Sequence, residues 1–579
     1  MLVQSVLTAL LAALALAPPF VESTLTVPDR EELVEGAEGK ELDAYLERCE
    51  LFGFSGSVLV AREGRVVLRK GYGEARPGEG VRNSPETLYD IASASKQITA
   101  AAILKLESLG TLSTEDSIAK HLADVPKEHE EVTIQHLLNH TAGFPRSGPS
   151  GGGPDLDTAM AGYLRAKRAR AAGRQHEYYN GGYAMLAAIV ERASGEAFET
   201  WVDENLFAPA GMEHTYFIDS VAEADEPRLA RTHDGGKLTN DYLSGWAYRG
   251  MGGVVTSVSD LHLWMQALFG GEILPEKSLA KLLEPALENY ACGWYVLDRP
   301  KGRRVVSHGG TAPGFQSYIR YFVEDDVMVL LMSNREGMHW QVTWGLSAML
   351  VDEDAKSPPP PQTVRWGDDQ LDELVGRYTS KKSGDLVVRR EGGALHIGAE
   401  GQAAIALLSG EKPAKKAEFK AERELAAEIV EALLAGDAGP IESSLASGIP
   451  KSWPNMILTS FLPKHVDKHG EILSSREIGA RFDAESKRVH VWVRLHHPEV
   501  DTTVEIGFEG DKLRMLDMKA PRFPAELAFA PVGKKELAAF DFSDRTLPTL
   551  SLATKSRGPA ALELKLGSKG YRFERDQED

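Results

Sequence analysis

The stretch Tyr89-Asp90-Ile91-Ala92-Ser93-Ala94-Ser95-Lys96-Gln97-Ile98-Thr99-Ala100 runs into an apolar helix pattern that continues through Leu109 and stops at Gly110. Ser93 is expected to open that helix, with its Oγ near the free N–H groups and the positive end of the helix dipole. Lys96, three positions on, projects from the same face one turn later. The two side chains can therefore meet. A lysine buried beside a serine is disfavoured as an ammonium ion, so it can take the hydroxyl proton near neutral pH. Read in isolation, the same residues describe a serine N-cap and a solvated lysine, and this spacing recurs by chance in many chains.

Two further segments carry related chemistry. Tyr178-Tyr179-Asn180-Gly181-Gly182-Tyr183 precedes the helix pattern Ala184 to Ala193. On an extended turn, Tyr178 and Asn180 point the same way, one offering a phenol for proton transfer and the other an amide donor and acceptor. Taken by itself, that text reads first as aromatic packing beside a turn asparagine. Ser307-His308-Gly309-Gly310-Thr311-Ala312-Pro313-Gly314-Phe315-Gln316-Ser317 feeds a strand pattern from Tyr318. Its glycines let the backbone approach a substrate, so that an N–H of this edge can face the Ser93 N–H across a developing oxyanion. Alone, it is a glycine-rich turn entering a strand.

In this order, and on these element types, the three segments resemble the serine β-lactamase and penicillin-binding protein superfamily, nearest its class C β-lactamase, D,D-peptidase and esterase branch. The Val132 to Pro145 stretch (VTIQHLLNHTAGFP), Leu206 to Thr215 and Met251 to Gly271 look like further family segments, and the resemblance covers about residues 40 to 350. It implies an α+β fold, an antiparallel sheet flanked by helices with an all-helical subdomain. It also implies Ser93 as the acylated nucleophile, and Lys96 with Tyr178 as the proton-transfer system. Asn180, His308 and Gly310 would line the substrate site, and the N–H groups of Ser93 and Thr311 would form the oxyanion hole. Which of Lys96 and Tyr178 is the base stays open, because coupled groups share their titration. Members that process β-lactams and D-alanyl peptides usually have lysine where this chain has His308. The histidine form resembles the esterase and D-amino-acid amidase or peptidase members, so affinity for anionic substrates should fall.

The rest of the chain bounds the reading. At 579 residues, against about 150 residues per domain, several domains are expected. Apolar residues make up 42% and charged residues 26%, ordinary globular usage. The formal charge of −20 opposes polyanions, so nucleic acid is not an expected partner; a small-molecule or peptide substrate is. Cys49 and Cys292 form no CxxC or Cys/His cluster, which leaves zinc-ribbon and dithiol chemistry without support, and no cofactor or metal is expected; a single bridge between them is allowed. His136 and His140 stand at i, i+4 in HLLNH without a third ligand nearby and read as core histidines. His496-His497 ends a strand pattern, and Lys412 to Lys420 reads as a solvated face or linker. The Gly/Pro/Ser loop Arg146 to Pro154 reads equally as a loop over the cleft and as a connector.

Residues 1–22 read as a signal peptide, with an uncleaved anchor as the rival, and the expected place is secreted, periplasmic or at the cell envelope. A catalytic domain is expected over residues 40–350. Lys356-Ser357-Pro358-Pro359-Pro360-Pro361 marks a linker over 356–365. Strand patterns in 366–413 and 521–579 weakly resemble lipocalin-like β-domains. Between them, a helix pattern at Glu422 to Leu434 and alternation at Val489-Val491-Val493-Leu495 and Val504-Ile506-Phe508 give an α+β module over 414–520, similar to NTF2-type folds. Substrate gating, dimerisation and envelope attachment all remain open as roles for these modules. The expected activity is hydrolysis of an ester or amide through an acyl-enzyme. The rival is the same fold used as a penicillin-recognising sensor or a silent scaffold.

Overall fold

Strand patterns at the two ends of the first 350 residues come together as one antiparallel sheet, and the helices between them build the ground on which the Ser93 turn stands. The computed structural model describes residues 31–146, 155–233, 246–299, 302–337, 339–351, 359–410, 419–483, 486–498, 500–518, 523, 525–540, 547–554 and 559–576. The signal-peptide reading, most of the Arg146 to Pro154 loop and of the Lys412 to Lys420 stretch, and the start of the proline run lie outside the described residues. The chain divides into two compact units, the first holding residues 54–356 and the second residues 357–579, with residues 1–46 and 47–53 respectively added to them.

In the first unit the sheet strands are β1 (Leu33–Val34), β2 (Gly56–Arg62), β3 (Arg65–Tyr72), β4 (Tyr295–Arg299), β5 (Arg303–Ala312), β6 (Phe315–Phe322) and β7 (Val327–Ser333), in the order β1-β3-β2-β7-β6-β5-β4. β7 beside β2, from Val327 opposite Arg62 to Ser333 opposite Gly56, closes the two ends of the unit on each other. Both strands are buried on both faces almost throughout, hence their continuous apolar text. Among the helices that build and flank the site are α1 (Lys96–Ser108), α2 (Ile134–Leu138), α3 (Asn180–Ser194), α4 (Val258–Phe269) and α5 (His339–Val351). Helix α1 buries every residue from Lys96 to Leu104, which marks a helix with neighbours all round rather than one solvated face. Ile103, Tyr183, Leu186 and Trp264 belong to one core cluster with it. Helix α4 contacts β2 and β7, and α5 contacts β6 and β7. The sheet flanked by helices, with a helical region between its halves, is the architecture that the resemblance implied.

The second unit holds a closed eight-stranded barrel and a four-stranded sheet. The barrel strands are β8 (Gly376–Ser380), β9 (Gly384–Glu391) and β10 (Ala394–Glu400), joined after an excursion by five more. The excursion contains α6 (Gln402–Leu408), α7 (Lys420–Ala435) and the sheet β11 (Ser474–Asp483), β12 (Arg488–His496), β13 (Asp501–Glu509) and β14 (Lys512–Asp517), paired in that order. The chain then re-enters the barrel as β15 (Ala525–Pro531), β16 (Glu536–Ala539), β17 (Thr549–Thr554), β18 (Pro559–Leu566) and β19 (Lys569–Arg575). Closure is made by β8 on β19, with Tyr378 opposite Arg575. Leu395, Ile397, Phe529, Leu562 and Phe573 share one buried cluster with Ile405 and Leu408 of α6. Ile429 and Leu433 of α7 pack with Val491, Val493, Ile506 and Phe508 of the sheet.

Candidate active site

The nucleophile turn differs from the expected helix start. Residues Ala92–Ser95 form a 3-10 turn and α1 begins at Lys96, so Ser93 stands one turn before the helix rather than at its opening. The cause is Ala92, whose φ of +48° lies in the left-handed region. For a residue with a Cβ that conformation costs on the order of 1–3 kcal/mol, and it turns the backbone out of the helical path immediately before the serine. Ser93 is half-buried and reaches solvent, while Lys96 is fully buried.

Lys96 Nζ lies 3.0 Å from Ser93 Oγ and 2.6 Å from the Met251 carbonyl oxygen. Burial lowers the Lys96 pKa well below the ordinary lysine value. The amine donates to both oxygens, and because burial disfavours its ammonium form, the 3.0 Å contact is one along which the serine proton can pass to nitrogen. The rings of Tyr178 and Tyr183 stand 5.0 and 5.7 Å from the same nitrogen. The Tyr178 hydroxyl hydrogen-bonds Ser93, and burial pushes its pKa up, so it keeps its proton. Serine, lysine and tyrosine thus stand in mutual contact, with the two titratable groups shifted in opposite directions.

Asn180 is the first residue of α3, and its Oδ1 is buried with no hydrogen-bond partner among the described residues. A buried amide oxygen left unpaired is costly unless a ligand completes it. His308 is buried on β5; its Nδ1 donates to the Gly309 carbonyl at 2.7 Å, which leaves Nε2 to accept from the Tyr290 hydroxyl at 3.2 Å. Burial takes its pKa down to about 3, so the imidazole is neutral. Pairing of β5 to β4 runs only from Arg303 to Ser307, so among the described residues no strand covers that side of His308 to Ala312. Thr311, on this open edge, is exposed.

Gly310 is where β5 meets the nucleophile turn. A Cβ there would stand 2.0 Å from the Ile91 carbonyl oxygen and 2.6 Å from Ser317 Oγ, which itself donates to that carbonyl at 2.7 Å. Gly310→Ala must push strand and turn apart, and such overpacking costs typically about 1–3 kcal/mol. Since small misplacements of reacting groups cost up to about 10²-fold in rate, kcat for any substrate should fall by that order, with a lowered unfolding midpoint. Steady-state kinetics and thermal unfolding check both.

Several contributors carry no signal in the sequence pattern. The Met251 carbonyl is a backbone group, and Tyr290 stands in unremarkable text. His140 is buried with its ring 4.2 Å from that of Tyr178, 4.8 Å from Tyr290 and 5.0 Å from Tyr183. Its Nδ1 accepts from the Tyr179 amide at 3.3 Å. His136, its neighbour in HLLNH, instead accepts from the Thr133 amide at 3.1 Å in the capping box of α2. Cys49 and Cys292 are both buried and form no disulfide.

A family model described as beta-lactamase matches residues 50–348. Putative penicillin-binding protein PbpX of Bacillus subtilis is 28% identical over 317 residues, covering 53% of this chain and 77% of that protein. Penicillin-binding protein 4* of the same organism is also 28% identical over 317 residues, covering 49% and 68%. The crystal structure of FmtA from Staphylococcus aureus is similar in fold, with a TM-score of 0.50 and 20% identity over 59% of this chain and 96% of that one.

Proposed function

Since the chain belongs to the beta-lactamase family, whose members are serine hydrolases, we propose that it hydrolyses an ester or amide through an acyl-enzyme on Ser93. The observation that carries this is the contact of Ser93 Oγ with both an amine whose proton affinity is depressed and a phenol whose proton is retained. Groups pushed apart in this way divide the roles of base and acid. Lys96 takes the hydroxyl proton as Oγ attacks the carbonyl carbon. Tyr178 then delivers a proton to the leaving alcohol or amine as the tetrahedral intermediate collapses. Water attacks the acyl-enzyme in the second half, with proton transfer through the same pair. The Ser93 and Thr311 amides are proposed to bind the oxyanion, and Asn180 to receive the substrate amide. The N-terminal segment favours a secreted or envelope location.

Neutral His308 shapes the substrate class. Without a fixed cation at the third segment, a substrate carboxylate loses a charge-assisted hydrogen bond, about 1.5–3 kcal/mol or about 10- to 100-fold in kcat/KM. The names of the relatives include penicillin-binding proteins, so a β-lactam belongs in the test. On p-nitrophenyl esters, D-alanyl anilides and nitrocefin, the ester or anilide is expected to exceed nitrocefin by at least about 10-fold in kcat/KM. Nitrocefin as the best substrate contradicts the assignment. One equivalent of product without steady turnover replaces the hydrolase by a sensor that acylates once.

A further inference from the structure

Asp90 lies three residues before the nucleophile, is 1% exposed, and belongs to none of the roles above. It sits in a two-residue strand opposite Val255. Its Oδ1 accepts from the Ala92 amide at 2.7 Å, and its Oδ2 from the Tyr248 hydroxyl at 3.1 Å. The Gly253 amide is a third donor to the same carboxylate. The first of these donors belongs to the left-handed residue that turns the chain into Ser93. The other two flank Met251, whose carbonyl receives Lys96 Nζ.

We propose that Asp90 is a positioning residue for the acylation site. Bonded to the Ala92 amide on one side and to Tyr248 and Gly253 on the other, it holds the turn that presents Ser93 in fixed relation to the segment that seats Lys96. The proposal rests on the reading of Ser93 as nucleophile. An apolar side chain at position 90 would leave the Ala92 amide unanswered at a strained residue, and the turn could relax toward the helical path.

The carboxylate also makes the device sensitive to acid. Burial raises the Asp90 pKa to about 6, against which the three donors pull. Tyr248 is the titratable group facing it, and burial and the Asp90 charge keep that phenol protonated. Beyond it lie Tyr178, which acts on Tyr248, and Lys96 on the Met251 carbonyl. A protonated Asp90 carries a hydrogen on one oxygen and can no longer accept from all three donors. Activity should therefore fall as pH drops through about 6. Stability moves the other way, because a carboxyl whose folded pKa is raised takes up its proton more readily folded than unfolded, and its contribution grows as pH falls from about 6 toward about 4.

The test is a pH series of kcat and KM, with unfolding midpoints, for wild type, Asp90→Asn, Asp90→Ala and Tyr248→Phe. Asp90→Ala should lower kcat by about 10²-fold with KM little changed. Asp90→Asn should recover most of that loss and lack the acid limb near pH 6, while retaining any limb that belongs to Lys96. Tyr248→Phe, which removes one donor, should move the limb to higher pH. On passing from pH 7 to 5, the wild-type midpoint should rise relative to Asp90→Asn while its activity falls. An unchanged acid limb in both Asp90→Asn and Tyr248→Phe overturns the proposal while Ser93→Ala still abolishes labelling by a fluorophosphonate. Labelling that survives in Ser93→Ala overturns the site reading and the proposal with it.

Discussion

Replacing Ser93 by alanine is expected to cut turnover of the best ester or anilide by about 10³-fold or more and to leave the unfolding midpoint within about 0.5 kcal/mol of wild type. The asymmetry follows from position. Ser93 is half-buried in a turn whose conformation is held by its neighbours, and its Oγ meets Lys96 and Tyr178, neither of which needs it to stay folded. Loss of the nucleophile removes the covalent path altogether, so residual activity would report only what the cleft does for direct attack by water. A variant that unfolds instead would place Ser93 among structural residues.

The second large effect is at Lys96. Lys96→Met should lower kcat by about 10²- to 10⁴-fold, the usual contribution of a positioned proton acceptor. Stability should hold or rise. The Lys96 pKa is depressed in the folded protein, so the unfolded chain binds the proton more tightly, and below the ordinary lysine pKa that difference favours unfolding. Methionine fills much of the same volume without that penalty. Lys96→Arg, which keeps a charge and has no lone pair to offer, should be as inactive as Lys96→Met and less stable. Wild-type activity should be lost as pH falls through the folded pKa of Lys96, and that limb should vanish in both variants. Activity retained in Lys96→Met would move the base to Tyr178.

How much of this could be read from the sequence depended on whether the contact was local. Ser93 and Lys96 are three residues apart, so any tight helical turn brings them together, and their spacing was legible. The start of α1 was misplaced because nothing about alanine announces a left-handed φ at position 92. Tyr178 and His308 are distant, and only the order of the three segments, read through the family resemblance, joined them to Ser93. The Met251 carbonyl and the Asp90 bridge to Ala92 were invisible for different reasons: one is backbone, and the other is an ordinary acidic residue whose meaning comes from burial. In the second unit, the alternation of β12 and β13 showed in Val489 to Leu495 and Val504 to Phe508. Closure of the barrel did not, since it pairs Tyr378 with Arg575 across nearly 200 residues and a whole intervening sheet.

On the proposed mechanism one serine hydroxyl, activated by a buried lysine of depressed proton affinity, is the nucleophile. Peptide mapping by mass spectrometry after reaction with a fluorophosphonate tests it most directly. A single adduct on the peptide bearing Ser93, absent in Ser93→Ala and formed far more slowly in Lys96→Met, is the expected result. An adduct on another residue, or equal modification of wild type and Ser93→Ala, would contradict it.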